Sequence, residues 1–314
     1  MSSLLHRARA DAALARVEIR HGRFQRSMAV ITGVSAIASG FEAYMQHRRG
    51  AFSNWLMWTP VGLTPVAVAA AGAALVSRRA ARQVLPIVSL LSLADGVIGF
   101  GLHLRGIRNR PGGFRTARYN LVMGPPVFAP LLTGIVGVTG LMAARLRREE
   151  RPVPGRTARE LDRLMRVRHR MRHNAASHHG RVAHGEFQRA LALTTALFAA
   201  LAGGEAYVEH LRGSFNNALM WSPIVVTPPM LGAALGAVVS RRIARRVLPF
   251  TSVVTLLDGV LGFGLHVRGL ARMPGGADNL AFKVSSGPPL FAPLLFTSVG
   301  MLGLITSLLR RSGR

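Results

Sequence analysis

Eight mostly apolar runs alternate with short charged stretches along the chain: 27–47, 55–76, 84–104 and 121–144, then 190–210, 218–239, 247–267 and 284–308. Each run holds about 20 residues, enough for a helix to cross the hydrocarbon core of a bilayer. The pattern predicts an all-α integral membrane protein with eight transmembrane helices.

The second four runs repeat the first four. Residues 21–146 align on 184–309 without a gap, at an offset of 163, with identity at about half the positions. His-Gly-x-Phe-Gln-Arg, Glu-Ala-Tyr-x-x-His, Met-Trp-x-Pro, Ser-Arg-Arg-x-Ala-Arg and Gly-Pro-Pro-x-Phe-Ala-Pro-Leu-Leu all recur. A four-helix unit has an even number of crossings, so both copies enter and leave on one face. They are expected to form parallel repeats about an axis along the membrane normal, a 4+4 pseudo-dimer. The expected organisation is a basic N-terminal segment (1–26), a first repeat (27–146), a basic linker (147–189), a second repeat (190–309) and a tail (310–314).

The charge of the chain changes the picture only when it is placed on this frame. The formal net charge is +27, with 40 basic residues, nearly all arginine, and no cysteine. The lack of cysteine excludes disulfides, thiolate metal sites and iron–sulfur clusters. On the eight-helix frame, 29 of the 40 basic residues fall on one face, which holds both termini, the linker and the turns after the second and sixth runs. The other 11 fall on the opposite face. That bias puts both termini in the cytoplasm, in a bacterial plasma (inner) membrane. It also makes the anionic cytoplasmic leaflet the partner of the arginines, and nucleic acid is not expected. Leu4, Leu5, Leu14, Val17 and Ile19 among the N-terminal arginines, and Leu161, Leu164, Met165 and Met171 in the linker, suggest helices lying on that leaflet. His169, His173, His178, His179 and His184 make the linker histidine-rich without supplying an acid or cysteine beside them.

The candidate chemistry is what both copies have kept inside apolar runs. Asp95 opens Asp-Gly-Val-Ile-Gly-Phe-Gly-Leu-His-Leu-Arg-Gly, which ends with His103 and Arg105, and Asp258 opens its counterpart, with His266 and Arg268. Asp95 sits near the middle of its run, where a bare carboxylate costs on the order of 3 kcal/mol or more. Glu42 and His47 in the first run return as Glu205 and His210. Rotations of about 80° from Asp95 to His103 and about 140° from Glu42 to His47 predict polar groups at successive depths, not a tight ligand cage. On the same count Glu42 and His47 are not expected to share one narrow seam. Gly96, Gly99 and Gly101 suit close helix contact. Prolines interrupt the second and fourth runs of each half, freeing carbonyls where the chain lines a polar cavity or is buried in protein. Trp58 and Trp221 read as interfacial belt residues.

Three functions fit these residues. One is small-ion or proton-coupled transport, with Asp95, Asp258, Glu42 and Glu205 taking up the ion and His103, His266, His47 and His210 relaying it toward the outer face. A second is a site for a divalent metal on the same eight residues, or for haem through His47 and His103, which ranks lower because those histidines lie near the surface. A third is a purely structural bundle tied by buried polar bonds. An enzyme is not favoured, since no serine or threonine recurs at a convincing nucleophile spacing.

Overall fold

A computed structural model describes residues 23–147, 186–275 and 279–309, and every regular element among them is helical. The first half holds α1 (Arg23–Arg49), α2 (Thr59–Val76), α3 (Leu85–Arg108), the short α4 (Ala117–Met123) and α5 (Ala129–Arg147). The second holds α6 (Glu186–Arg212), α7 (Ser222–Val239), α8 (Leu248–Arg272), the short α9 (Leu280–Ser286) and α10 (Pro293–Leu308). The bounds of α1, α2 and α4 recur in α6, α7 and α9 at the offset of 163 found in the sequence. The N-terminal segment and the histidine-rich linker, with the surface helices expected there, lie outside the described residues.

Among the described residues, six helical spans are long and apolar enough to cross a membrane: Phe24–Arg49, Trp55–Val76, Ala80–Arg108, Glu186–Arg212, Ala218–Val239 and Ile243–Arg272. They mark a multi-pass membrane protein. The spans after α1 and α6 each open with one tight 3₁₀ turn, at Trp55–Trp58 and Ala218–Trp221. Asn54 and Asn217 cap these turns, each side chain accepting a hydrogen bond from the backbone two residues on. Pro60 and Pro223 then fall in the first turns of α2 and α7, where a missing N–H leaves no partner unsatisfied. Ser77 ends α2 in an extended conformation and starts the next span, its Oγ accepting from Ala80 N at 3.2 Å.

The fourth and eighth runs are not single helices. Each splits into a seven-residue helix and a longer one, α4 with α5 and α9 with α10. The breaks fall at Gly124-Pro-Pro126 and Gly287-Pro-Pro289, where two successive prolines remove donors and push the preceding residue into extended backbone. Gly124 and Gly287 are extended, with ψ of −169° and −170°.

α1 and α6 are central, each about half buried (56%), whereas the windows of the α2, α3, α7 and α8 spans are 22–28% buried. α3 packs on α5 and α8 on α10, and α2 and α7 lie against α1 and α6. The halves meet where α1 touches α10 and α5 touches α6. Met28, Ile31, Leu191, Phe198, Val299 and Leu302 are wholly buried in a core to which both halves contribute. The outer helices leave Ile87, Leu90, Leu91 and Val97 exposed, as a lipid-facing surface requires. α3 and α5 come very close. A Cβ on Gly96 would lie 2.5 Å from Gly134 N and 2.6 Å from Pro130 O, so only glycine fits. Gly99 also faces Pro130, but a Cβ on Gly101 would meet nothing within 4 Å, so close packing accounts for two of the three glycines.

Candidate functional site

The breaks before α5 and α10 organise the site, because the polar groups they free are taken up by side chains from elsewhere. His103 Nδ1 bonds Pro126 O at 2.5 Å and His266 Nδ1 bonds Pro289 O at 2.6 Å. Arg49, in the last turn of α1, donates across the halves to Ser285 O (2.8 Å) and Gly287 O (3.0 Å) at the end of α9. Arg212 of α6 does the same at the end of α4, donating to Val122 O (2.5 Å) and Gly124 O (2.7 Å). A cation at a helix C-terminus meets the negative end of the helix dipole and carbonyls that have no partner of their own. Each half therefore caps the broken helix of the other.

The other two histidines brace the loop after the first helix of each half. His47 Nδ1 bonds Met57 O and His210 Nδ1 bonds Met220 O, both at 2.6 Å. A carbonyl only accepts, so Nδ1 carries the proton in all four rings and Nε2 remains able to accept a bond. The braced loops hold two successive residues with left-handed backbone, Ala51 and Phe52 (φ of 54° and 46°) and Ser214 and Phe215 (57° and 45°). Such pairs are strained without glycine and persist only where packing fixes them. Here Phe52 stacks on Trp58 at 3.9 Å and Phe215 on Trp221 at 4.1 Å. The stack accounts for both tryptophans, although each keeps an exposed face that suits an interface.

Asp95 meets a hydroxyl from the neighbouring helix. Thr59 Oγ1 lies 2.5 Å from Asp95 Oδ1 and 2.9 Å from Leu56 O. The hydroxyl has one proton for two acceptors. A proton on Asp95 completes the series, running from the carboxyl to Thr59 and on to Leu56 O. In the second half Ser222 takes the place of Thr59 and bonds Asp258. Glu42 Oε1 accepts from Gln46 Nε2 at 2.9 Å, while its Oε2 is buried with no hydrogen-bond partner. Glu205 reaches across the halves, its Oε2 accepting from Phe128 N at 3.0 Å. Glu209, which replaces Gln46 in the repeat, forms an ion pair with Arg212. Glu42, Glu205 and Glu209 lie close enough to interact electrostatically.

A cavity of about 500 Å³ joins these groups. Glu42, His47, Asp95 and His103 line it from the first half, and Glu205 and Glu209 line it from the second. Of the eight residues expected at the site, five open onto this cavity. His210, Asp258 and His266 are not among its lining residues and keep their local bonds in the second half. Glu42 and His47 both reach it in spite of their rotation about α1, because the space is broad and not a seam one side chain wide. The halves also differ at Gly204, against which Phe128 packs. The matching residue Phe41 instead sets its ring edge-on to Phe291 at 4.7 Å.

No group of three or more His, Asp or Glu side chains is placed to hold a metal ion among the described residues. His47 and His103, with ring centroids 6.4 Å apart, are the two nitrogen ligands brought nearest each other at the cavity. Thr59, Gln46, Glu209, Arg49 and Arg212 were not singled out in the sequence. The available signals were a hydroxyl kept as Thr or Ser at 59 and 222, and an arginine kept at the end of the first helix in each half. No protein-family profile, curated protein or solved structure matches the chain.

Proposed function

We propose that the protein carries protons or other small cations across a membrane through the cavity between its halves. The observation behind this reading is one space that gathers Glu42, Asp95, Glu205 and Glu209, with a buried Glu42 oxygen that has no partner. Acids held half-buried inside membrane spans are costly, and an ion pathway is a common reason for keeping them. In this reading Glu42 and Asp95 take up and release the ion, Glu205 and Glu209 shape the field across the joint, and His47 and His103 hold the walls while offering Nε2. Asp258, His210 and His266, which do not line this space, hold elements of the second half together through their own bonds.

The architecture proposed for this function is eight crossings in two parallel four-helix repeats, with the α4–α5 and α9–α10 pairs as interrupted crossings. The matching element bounds and the reciprocal Arg49 and Arg212 caps support it. Arginine partition supports cytoplasmic termini in a bacterial plasma membrane, against an anionic leaflet. A purely structural role is favoured for one subset, since all four histidine Nδ1 atoms tie separate elements together.

The test is proton movement into proteoliposomes, driven by a potassium gradient with valinomycin and read with an enclosed pH dye. Wild-type protein is expected to move protons faster than empty vesicles, and Glu42→Gln to lower that rate at least tenfold. A wild-type rate equal to that of empty vesicles for protons, alkali ions and divalent ions alike overturns the proposal.

A further inference from the structure

We infer that the cavity between the halves also takes an organic cation with an apolar body, bound in competition with protons. This rests on the transport reading and names the substrate class for the same site.

Size argues against a bare ion as the only occupant. About 500 Å³ falls within the range of small-molecule pockets and far exceeds a dehydrated metal or alkali ion. Chemistry agrees, since no metal-holding group occurs among the described residues. The walls are mainly apolar, with Met57, Ile98, Leu102, Pro130, Ala292 and Leu295 contributed by both halves. Such walls bind by removing apolar surface from water and give nothing to a hydrated inorganic ion.

Charge then selects the sign of the ligand. Four acids line the space; Asp95 shares a proton with Thr59 and Glu209 is paired with Arg212, which leaves Glu42 and Glu205 against one cation, Arg105, among the lining residues. Arg105 is exposed, and Arg212 is held by Glu209 and the end of α4. Arg49, which acts on Glu42 from nearby, is held by the carbonyls that end α9. His47 and His103 each spend one nitrogen on a carbonyl and are the remaining titratable groups on the wall. The Glu42 carboxyl is the group without a full set of partners. A carboxylic acid there gives up its proton to bulk water as the cation enters, and the carboxylate with the cation replaces the neutral acid. One proton leaves for each positive charge bound, so the same carboxyl serves both ligands in turn.

The experiment is isothermal titration of the purified full chain in detergent with tetraphenylphosphonium, repeated in two buffers of different ionisation enthalpy. Saturable one-to-one binding with proton release is expected. Affinity should fall at least tenfold in Glu42→Gln, and also in Leu102→Trp, which fills the space without touching charge. Triphenylphosphine oxide, a neutral body of similar shape, should bind at least tenfold more weakly than the cation. Equal binding of the cation and the neutral compound, or binding unchanged in both variants, overturns the inference and points to an apolar occupant such as a lipid chain. Proton flux without phosphonium binding overturns it while leaving the transport reading intact. Absence of both overturns both.

Discussion

Thr59 shows how one hydroxyl determines whether an acid can stay inside a span. Its Oγ1 stands between Asp95 and Leu56 O, and the repeat keeps the function with serine at 222. Thr59→Ser is therefore expected to be silent. Thr59→Val should cost about 1 kcal/mol, since it takes the hydroxyl partner from a half-buried carboxyl. Thermal melts of the detergent-solubilised variants measure this, and an equal loss in both would show that the methyl group matters more than the hydroxyl. Asp95 was legible in the sequence because an acid in an apolar run needs a reason. Thr59 was not, because threonine is unremarkable in a span and the two copies are not identical there. Gln46 and Glu209 carry no such signal, because the halves have diverged in charge at that position.

At the level of elements, six of the apolar runs are spans close to their expected places, two at the expected bounds and four extending a few residues further into the charged flanks. A run of apolar residues shows length but not continuity. The double prolines at 125–126 and 288–289 were visible, yet whether they kink or divide a helix depends on what satisfies the freed carbonyls. The answer lies with Arg49 and Arg212, whose partners are 238 and 88 residues away in sequence. No local pattern reports a bond of that range. Close packing can be tested directly along α3. Gly96→Leu forces a side chain against the backbone of α5, so a lower melting temperature and poorer yield of monodisperse protein are expected, with a cost of about 1–3 kcal/mol or more. Gly101→Leu meets open space and should be tolerated. Comparable loss in both variants would mean that the α3–α5 contact does not limit stability.

The whole molecule is two similar halves that exchange arginine caps, with acids gathered where they meet. Duplication and charge partition could be read from the sequence, but the cavity between the halves could not. It depends on how α1, α6 and the two breaks come together, and on divergences such as Gly204 for Phe41 that let the halves pack differently. The proposed orientation has a direct check, because the chain lacks cysteine and each introduced thiol reports alone. A membrane-impermeant maleimide added to intact spheroplasts should label Arg115→Cys, between α3 and α4, and spare Arg79→Cys, between α2 and α3. The reverse pattern would invert the topology.

The central claim is that the cavity's own carboxyls move the ion, and the two aspartates separate it from a merely symmetrical arrangement of buried acids. Asp95 lines the space and Asp258 is not among its lining residues, although their sequence surroundings are nearly the same. The decisive measurement is proton flux in proteoliposomes for wild type, Asp95→Asn and Asp258→Asn side by side, at matched protein incorporation. The account predicts at least a tenfold loss for Asp95→Asn and retention of at least half the rate for Asp258→Asn. Equal rates for the two variants, whether both lost or both intact, would contradict it.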